Sequence, residues 1–512
     1  MKTGKLIFIR RLSQCLFLLL FIYILWSTTY PLKGLLPPKT FFLFDPLVIF
    51  ITSIARRTML HGIFFCAGMI ALTLVLGRFF CGWVCPLGTT IDIAGALRKK
   101  TRLLGSRMNS KLRLPKFLIL AVILLCAAAG IQIAWVFDPL VIMARFVSLN
   151  LIPTLTLALD KLFIAMISAF GLYGWAYDIY RSLKTSVLGV QVIYFSHSAL
   201  IFLFFLLVVS LALCLKRAWC RALCPLGAIY ALAGRFALLK RVVRPCTACQ
   251  RCRQTCRMGA INDDLTYVKG ECILCMDCVY ECPSKSTSFK FTLSRHASAV
   301  APGRSGVKGT GITRKSFLFW LGIGLFSTLG FKNKDDKKQG IVDRPDIIRP
   351  PGVSDEGKFL DRCIRCGNCM KVCITNGLQP LLFQQGLEGI WTPQLVPEIG
   401  YCEYQCTLCG DTCPTAAIPR LTLDEKKSFK LGLAHIDHSI CLPWAKGEDC
   451  IVCEEHCPVA QKAIHLREEN VNGRVVKRPY VDPYLCVGCG ICQNKCPARP
   501  VRAVRVRPLG GF

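Results

Sequence analysis

The chain has 512 residues, 53% of them hydrophobic, and a mean hydropathy of +0.45, which indicates membrane spans. Its 32 cysteines do not fit a disulfide scaffold, because such scaffolds are short and secreted. The formal net charge is +33, and the basic residues flank apolar runs, which is typical of membrane-protein loops and not of a nucleic-acid interface.

Four apolar runs in the first 235 residues predict four membrane spans, because each approaches the roughly 20 residues that a helix needs to cross a bilayer. They cover about residues 12–30, 59–80, 117–137 and 191–215. The N-terminus and the two segments rich in Lys and Arg, residues 81–116 and those from 216 onward, are expected in the cytoplasm. Residues 31–58 and 137–190 are expected outside. Within the latter, the apolar stretch 150–177 is interrupted by Asp160 and Lys161, which predicts an interfacial or re-entrant segment.

This membrane half contains an internal repeat. The sequence Phe-Asp-Pro-Leu-Val-Ile occurs at residues 44–49 and 137–142, and Cys-x₃-Cys-Pro-Leu-Gly occurs at 81–88 and 220–227. Two units related by pseudo-symmetry are expected to bring four thiols together at the cytoplasmic face. These thiols are Cys81, Cys85, Cys220 and Cys224. Such a quartet is either a redox or metal centre, or simply the end of two helices at a proline.

Each repeat also carries one carboxylate, Asp45 or Asp138, at the outer end of a predicted span and just before a proline. Asp-Pro commonly marks a turn or a helix cap. A carboxylate within a membrane is also a candidate proton acceptor beside a quinol pocket. The sequence leaves both roles open.

The stretch from Cys246 to Cys282 carries two matched cysteine runs, each with three cysteines separated by two residues and a fourth after three more. Three thiolates of one run hold one [4Fe–4S] cubane, and the fourth thiolate crosses to the neighbouring cubane. Cluster A is expected to take Cys246, Cys249, Cys252 and Cys282, and cluster B Cys272, Cys275, Cys278 and Cys256. Zinc is disfavoured, because zinc sites use paired C-x₂-C knuckles without a crossing ligand.

A basic linker, residues 291–315, follows. The motif Thr313-Arg-Lys-Ser-Phe-Leu and the apolar run to Phe331 resemble a twin-arginine export signal, with Lys315 replacing the second arginine. Residues 316–331 are therefore expected to remain as an anchor, followed by a second linker, 332–357, and an exported C-terminal part. The alternative is a buried helix that joins two cytoplasmic parts.

Residues 358–512 carry four more cysteine runs, which predict four cubanes. The runs are Cys363, Cys366, Cys369 and Cys373; Cys402, Cys406, Cys409 and Cys413; Cys441, Cys450, Cys453 and Cys457; and Cys486, Cys489, Cys492 and Cys496. Because the fourth cysteine of a run crosses over, the runs must pair. Nesting, with the first run paired to the last, is one arrangement, and the sequence leaves the pairing open.

The predicted architecture is an α-helical membrane domain with four spans and an internal repeat, plus two α+β iron–sulfur domains like bacterial ferredoxins. The domains are expected at residues 1–235, 240–290 and 358–512. The sequence has no C-x-x-C-H haem motif and no G-x-G-x-x-G dinucleotide fingerprint. The chain is therefore expected to move electrons without a terminal substrate site of its own.

On these motifs, residues 10–290 resemble the NapH/NosR-type membrane ferredoxins, and residues 313–512 resemble the NapG/MauM family of exported four-cluster ferredoxins. The chain looks like a fusion of the two partners, and such a tether gives donor and acceptor a high effective concentration. The resemblance implies that the pair oxidises membrane quinol and passes electrons to a periplasmic acceptor, such as a nitrate reductase system. The Arg-Lys signal departs from the twin arginine of that family.

We therefore expect a multi-pass protein of the bacterial inner membrane with six [4Fe–4S] clusters, its first ferredoxin domain cytoplasmic and its second periplasmic. It is expected to relay electrons between the quinone pool, or a cytoplasmic donor, and a periplasmic cytochrome or reductase in anaerobic respiration. Its expected partners are membrane lipid, quinone and that redox protein, and not nucleic acid. Two alternatives remain: a redox assembly factor for a copper or other metal oxidase, and an electron-transfer subunit of a larger energy-coupling membrane complex.

Overall fold

A computed structural model describes most of the chain. The described residues are 2–32, 34, 36–58, 62–97, 105–171, 174–184, 193–244, 246–292, 347–471 and 473–509. The predicted export signal and anchor, together with nearly all of the two linkers, lie outside the described residues.

The first half of the chain is helical, with helices that differ widely in length. The helices are α1 (Lys2–Trp26), α2 (Thr40–Leu43), α3 (Pro46–Arg56), α4 (Ile63–Leu76), α5 (Phe80–Trp83), α6 (Pro86–Ala96), α7 (Ser106–Ala128), α8 (Pro139–Phe146), α9 (Ile152–Phe170), α10 (Trp175–Leu183), α11 (Ser198–Cys214), α12 (Ala218–Ala222) and α13 (Pro225–Gly234). A 3₁₀ turn (Ala134–Val136) precedes α8, and a π-helical turn (Val147–Leu151) joins α8 to α9.

The remaining described residues form short helices and two-stranded antiparallel sheets. The strands are β1 (Leu239–Val243), β2 (Thr287–Phe291), β3 (Leu378–Pro380), β4 (Pro393–Leu395), β5 (Leu433–Ile436), β6 (Ile464–Val471), β7 (Arg474–Val481) and β8 (Val504–Arg507). The helices are α14 (Arg251–Thr255), α15 (Asp277–Tyr280), α16 (Glu356–Arg362), α17 (Asn368–Lys371), α18 (Gly386–Gly389), α19 (Leu408–Asp411), α20 (Leu423–Ser428), α21 (Leu442–Ala445), α22 (Val452–Glu455) and α23 (Ile491–Lys495), with a 3₁₀ turn at Lys269–Glu271. The pairs are β1–β2, β3–β4, β5–β8 and β6–β7.

Two of the described helical segments are long and apolar enough to cross a membrane, Gly4–Trp26 and Pro139–Phe170. Four spans are therefore not confirmed. The helices at the other three predicted spans are shorter or more polar. Helix α4 has 14 residues, α11 has 17, and α7 begins with a charged turn. Most of the stretch predicted to be interfacial or re-entrant belongs to the continuous segment Pro139–Phe170.

The repeated proline motifs each begin a helix. Pro46, Pro86, Pro139 and Pro225 are the first residues of α3, α6, α8 and α13. Proline suits this position because its fixed φ is helical and its missing N–H would have had no helical partner. The preceding residue caps each helix with its side chain: an aspartate accepts backbone N–H groups at α3 and α8, and a cysteine does so at α6 and α13.

The chain divides into two compact units, and each contains one cysteine-rich region together with pieces of the helical half. Unit 1 comprises the described parts of Met1–Leu25, Lys39–Phe146 and Leu200–Lys332. Unit 2 comprises those of Trp26–Pro38, Val147–Ala199 and Asn333–Phe512. This division differs from one drawn along the sequence, because segments that are distant in the chain pack together. The core of unit 1 contains the repeated motif, with Leu47, Val48, Leu140 and Val141 almost fully buried.

Candidate iron–sulfur sites

In unit 1, the crossing arrangement of cysteines is visible in the cluster B quartet. Cys272, Cys275 and Cys278 line one cavity together with Cys256 from the preceding run. These thiols lie close enough to interact electrostatically. The antiparallel pair β1–β2 closes the region, with Leu239 opposite Phe291. The site therefore joins two runs of the sequence in one cavity.

The cluster A quartet is more exposed. Cys252 interacts with Cys249 and Cys282, while Cys246 and Cys249 are solvent-exposed. The guanidinium of Arg241 donates a hydrogen bond to Cys252 Sγ over 3.4 Å. Burial raises the pKa of Cys252, whereas at Cys282 hydrogen bonds, from Ser284 first, outweigh burial and lower the pKa of the thiol. A lowered thiol pKa favours the thiolate that binds iron.

In unit 2, the runs pair in sequence order. One cavity is lined by Cys402, Cys406 and Cys409 with Cys373 of the first run, and Cys363, Cys366 and Cys369 interact with Cys413 of the second. Another cavity is lined by Cys441, Cys450 and Cys453 with Cys496, and a third by Cys486, Cys489 and Cys492 with Cys457. The first run therefore pairs with the second and the third with the fourth, unlike a nested arrangement.

The crossing cysteines are held by the backbone. Cys256 Sγ accepts a hydrogen bond from Ala260 N at 3.2 Å, and Cys457 Sγ accepts one from Ala463 N at 3.3 Å. The longer contact from Ile418 N to Cys413 Sγ, 3.5 Å, is of the same kind. Such N–H groups stabilise negative charge on sulfur and orient it towards the neighbouring quartet.

The quartets fit iron–sulfur cubanes by their chemistry. Burial, with neighbouring thiols adding to it, raises the pKa of Cys366 to about 12 and that of Cys489 to about 11. Bound cations reverse this effect, because ligation requires the thiolate. Among the described residues, no three His, Cys, Asp or Glu side chains form a site for a single metal ion. A cubane takes one thiolate per iron, so its ligands are spread over four irons.

The two pairs in unit 2 are directly connected. Cys402 N donates a hydrogen bond to Cys489 O over 2.8 Å, and the two thiols interact. The quartets therefore follow one another as a series. We name each quartet by the first cysteine of the run that supplies three of its thiols, which gives the order Cys363, Cys402, Cys486 and Cys441. The first and last members of the series are the Cys363 and Cys441 quartets.

The Cys363 quartet packs against segments from the helical half that belong to the same unit. Lys371, two residues after Cys369, is buried and donates hydrogen bonds to Trp26 O and Thr28 O at 3.2 and 3.0 Å. A Cβ at Gly367 would lie 3.0 Å from the side chain of Leu149. Asn376, after Cys373, donates to Tyr194 O at 2.6 Å. This end of the series therefore rests on the end of the first predicted span, the start of the fourth and the segment between the third and the fourth.

The four Cys-x₃-Cys-Pro thiols converge in unit 1. Cys85 interacts with Cys81 and Cys220, and Cys224 interacts with Cys220 and Cys81. All four are buried. Their second cysteines also cap α6 and α13, accepting hydrogen bonds from Gly88 N at 3.4 Å and Gly227 N at 3.2 Å. Cys85 and Cys224 therefore cap helix ends and at the same time belong to the converging thiol quartet.

Two arginines that the sequence analysis did not single out cross between the repeats. Arg78 lies three residues before Cys81 but donates to Cys220 O at 3.1 Å, and Arg217 lies three residues before Cys220 but donates to Cys81 O at 2.6 Å. A Cβ at Gly227 would collide with Arg78. The repeat is therefore Arg-x₂-Cys-x₃-Cys-Pro-Leu-Gly, and its matching arginines were the signal that could have revealed this exchange.

The crossed arginines belong to buried ion networks. Arg78 and Lys116 both bind Glu271, at 2.9 and 2.6 Å, and Arg217 binds Asp92 at 2.7 Å. Although burial opposes ionisation, Lys116 and Arg78 lower the pKa of Glu271. A buried charge needs partners of this kind, because its desolvation is costly. These contacts connect the thiol quartet to the first ferredoxin region.

Asp45 and Asp138 face each other at the heads of α3 and α8. Asp45 Oδ1 accepts from Leu47 N at 2.9 Å and Asp138 Oδ1 accepts from Leu140 N at 2.8 Å, so each is a helix cap. Both are fully buried and the two carboxyl groups interact. Tyr230, also fully buried, lies near Asp45, Cys81 and Cys85. The sequence analysis did not identify this tyrosine, because a lone Tyr in an apolar helix carries no signal.

Comparisons with known proteins find 4Fe–4S binding families in both halves of the chain. A family model described as a 4Fe–4S binding domain matches residues 58–103 and 196–245, which contain the two Cys-x₃-Cys-Pro motifs, and another with the same description matches residues 479–502. The ferredoxin-type protein NapH of Haemophilus influenzae is 28% identical over 311 residues, 57% of this chain and 90% of the relative. No solved structure matches the chain.

Two further relatives are more similar in sequence. The methylamine utilization ferredoxin-type protein MauM of Methylorubrum extorquens is 33% identical over 214 residues, 40% of this chain and 89% of the relative. The ferredoxin-type protein NapG of Escherichia coli is 33% identical over 187 residues, 35% of this chain and 77% of the relative. The chain therefore belongs to the family of 4Fe–4S ferredoxin-type electron-transfer proteins that includes MauM and NapG, and it combines NapH-like and NapG-like ferredoxin parts in one polypeptide.

Proposed function

We propose that this protein is a multi-pass protein of the bacterial inner membrane that binds six [4Fe–4S] clusters and relays electrons between the quinone pool and a periplasmic redox protein. The expected domains are the membrane domain 1–235, the two-cluster domain 240–290 and the four-cluster domain 358–512. The observation that carries the proposal is the crossing arrangement of thiols, which joins the four quartets of unit 2 into one series. A series of centres serves transfer over distance, since a single site needs no such chain.

The contacts of the Cys363 quartet support a periplasmic position for the second ferredoxin domain. Its neighbours are Trp26, Thr28, Leu149 and Tyr194. These residues lie at or beyond the ends of predicted spans, in stretches expected to face away from the cytoplasm. The Cys363 quartet is therefore the proposed point at which electrons enter the second ferredoxin domain, and the Cys441 quartet the proposed exit.

The chain's own residues would hold and insulate the clusters. The cysteine quartets would supply the thiolates, and each cubane would store one electron when bound. Backbone N–H groups that point at the crossing sulfurs stabilise the extra negative charge of the reduced state. Burial of cysteines such as Cys453 and Cys492 keeps water away from the ligands.

The thiol quartet Cys81, Cys85, Cys220 and Cys224 is a proposed redox centre between the first ferredoxin region and the helical core. Thiolates select soft metals and iron–sulfur centres. Arg78 and Arg217 lie against it and would compensate negative charge on the sulfurs. The same feature also suits the second candidate function, a redox assembly factor that handles a soft metal for an oxidase.

The facing carboxyl groups of Asp45 and Asp138 are proposed to take part in quinol chemistry or proton movement. Their support is complete burial, mutual contact and one oxygen on each, Oδ2, without a hydrogen-bond partner of good geometry among the described residues. Intramembrane carboxylates of this kind tend to be functional. The double variant Asp45→Asn/Asp138→Asn keeps the Oδ1 caps and removes both acids, so an unchanged rate of quinol oxidation would reject this role.

The proposed function is tested on the full chain, purified without oxygen and inserted in vesicles. We expect about 24 iron atoms per chain. We also expect reduction of the clusters by added quinol, and cleavage of the second ferredoxin domain by protease added to spheroplasts. Protection from that protease would place this domain in the cytoplasm. Clusters that a cytoplasmic ferredoxin reduces but quinol does not would reverse the proposed entry of electrons.

A further inference from the structure

Unit 1 contains a cavity of about 510 Å³ that none of the predicted sites includes. Its walls come from three places: the start of α1, the end of α6 with the residues before α12, and the first ferredoxin region. The volume lies within the range of small-molecule sites, about 300–1,000 Å³. The cavity therefore has the size of a ligand pocket and lies where the helical part of this unit meets its iron–sulfur part.

The ferredoxin wall of the cavity is made by residues next to cluster cysteines. Thr255 and Arg257 flank Cys256, and Asp277 and Glu281 precede Cys278 and Cys282. Cys256 and Cys278 are predicted ligands of cluster B, and Cys282 is a predicted ligand of cluster A. A molecule in the cavity would therefore be separated from both clusters by little more than the backbone that carries their ligands.

The opposite wall, from the helical part, combines apolar side chains with the charged Arg11 and Asp92. Ile7 and Phe8 of α1 and Ile91 of α6 line it, and Phe8 is 67% exposed. The segment Gly4–Trp26 is one of the two described segments that could cross a membrane, so a path along α1 leads from the bilayer to the cavity. A ligand that arrives from lipid with an apolar tail and a polar head would find apolar and polar side chains here.

Of the seven charged residues that line the cavity, four are joined by ion pairs. Asp92 binds Arg217 at 2.7 Å and Arg257 at 3.2 Å, and Asp277 binds Arg257 at 2.6 Å and Arg10 at 3.6 Å. Because the lining holds four cations and three anions, and Arg217 and Arg257 already bind carboxylates, its charge is nearly balanced and favours a neutral head that exchanges hydrogen bonds over an anionic phosphate. Arginine N–H groups can donate to carbonyls, and carboxylate oxygens can accept from hydroxyls.

We propose that this cavity binds the head group of a membrane quinone, on the face of the protein that carries the first ferredoxin region. The inference rests on the proposed function for its electron-transfer step and on the cavity for its ligand. A bound quinol would become quinone by breaking two O–H bonds. Its two protons would go to water at the cavity mouth, and its two electrons would go singly to two oxidised [4Fe–4S]²⁺ clusters, each reduced to the [4Fe–4S]⁺ state. The site would explain why a quinol-linked chain has iron–sulfur clusters in this region at all.

Gly95 offers a way to block the cavity without touching its charges. It lines the cavity, and a Cβ at this position would meet nothing within 4 Å, so Gly95→Trp should fill the space without a clash. Gly68 of α4 is a matched control, because a Cβ there also meets nothing within 4 Å and the residue does not line the cavity. Both substitutions place the same side chain on a helix.

The test uses the full chain in phosphatidylcholine nanodiscs and a photoreactive azidoquinone, with labelled peptides identified by mass spectrometry. We expect labelling in α1 or α6 that unlabelled quinone suppresses. Gly95→Trp should weaken this labelling roughly tenfold, a loss of about 1.4 kcal/mol in binding, and Gly68→Trp should not. Quinol-driven bleaching of the clusters should fall in parallel.

Labelling that Gly95→Trp leaves unchanged, or label found elsewhere in the chain, would overturn the quinone site. If quinol still reduces the clusters in that case, the proposed function stands without this cavity. If the label maps to the cavity but quinol does not reduce the clusters, the site stands and the quinol step of the proposed function fails. Displacement of the label by phosphatidylglycerol and not by quinone would identify the cavity as a lipid site and overturn the proposal.

Discussion

The two ferredoxin regions both pair their cysteine runs, but they are embedded differently. In unit 1, the two-cluster region leans on the helical core through buried charges: Glu271 binds Arg78 and Lys116, and the indole of Trp83 donates to Leu274 O at 3.1 Å. In unit 2, the four-cluster region has hairpins of its own, such as the eight-residue strands β6 and β7. Buried ion pairs therefore join the first region to the helical core, whereas the second region meets the helical segments of its unit through hydrogen bonds to backbone oxygens, such as those of Lys371 and Asn376.

The same difference bears on the role of the basic residues in the first half of the chain. The sequence analysis interprets the basic excess of the first half as a feature of the loops that flank membrane spans. In the structure several of those basic side chains are buried in unit 1, among them Arg10, Arg78, Arg113 and Lys116. They lie near carboxylates and cysteines, so part of the positive charge is counter-charge for the interior. In unit 2 fewer basic side chains are buried among the described residues, Arg349, Arg365, Lys371 and Lys426.

The largest expected effect tests the pairing of runs in unit 2. Cys413→Ser should abolish the cluster held by the first run and remove about four iron atoms per chain. Alkylation with mass spectrometry of the anaerobically purified protein should then show Cys363, Cys366 and Cys369 newly reactive. The matched variant Cys373→Ser should instead expose Cys402, Cys406 and Cys409. Newly reactive cysteines of the third run in Cys413→Ser would favour nesting and contradict the sequential pairing.

The dependence of the first ferredoxin region on the helical core is tested at Glu271. Glu271→Gln leaves Arg78 and Lys116 buried without their carboxylate, and breaking a buried pair in this way costs about 3–5 kcal/mol. We expect a large fall in the melting temperature of the detergent-solubilised protein and loss of cluster B. Glu468→Gln is the control in unit 2, because its ion pair with Lys477 is exposed and is worth about 0–1 kcal/mol. Equal effects of the two substitutions would contradict the comparison.

A smaller effect is expected at Gly82, where the chain passes close to the first ferredoxin region. A Cβ at this glycine would collide with the backbone oxygen of Ile273, so Gly82→Ala should force the two segments apart. Overpacking of this kind costs about 1–3 kcal/mol. Limited proteolysis should then cleave the 246–282 region faster than in the wild type. Gly68→Ala, at a site with open space, should leave the proteolysis rate unchanged.

The smallest effect concerns pH. Lys116 and Arg78 lower the pKa of Glu271 although burial opposes this, so the folded state binds its proton more weakly than the unfolded state. The stability from this group is fully present above the unfolded pKa, about 4.3, and is lost as the pH falls through the lower folded value. We expect wild-type melting temperatures to fall more steeply with acid below about pH 4.3 than those of Glu271→Gln. Parallel curves would show that Glu271 does not carry this pH dependence.

The cysteine spacing, the repeat and the basic flanks can be read from the sequence, because the ligands within one run and the two halves of each motif are local features. The prolines that begin α3, α6, α8 and α13 belong to the same class, since a helix start depends on neighbouring residues. The predicted spans are less secure, because α4 and α11 are shorter than their apolar runs suggest.

Only the tertiary structure decided what residues far apart in the chain do together. It chose the pairing of runs in unit 2, exchanged Arg78 and Arg217 between the repeats, and joined Glu271 to α7. It also formed the cavity beside α1. These outcomes depend on packing and on the need to neutralise buried charge, and neither is encoded in the spacing of neighbouring residues.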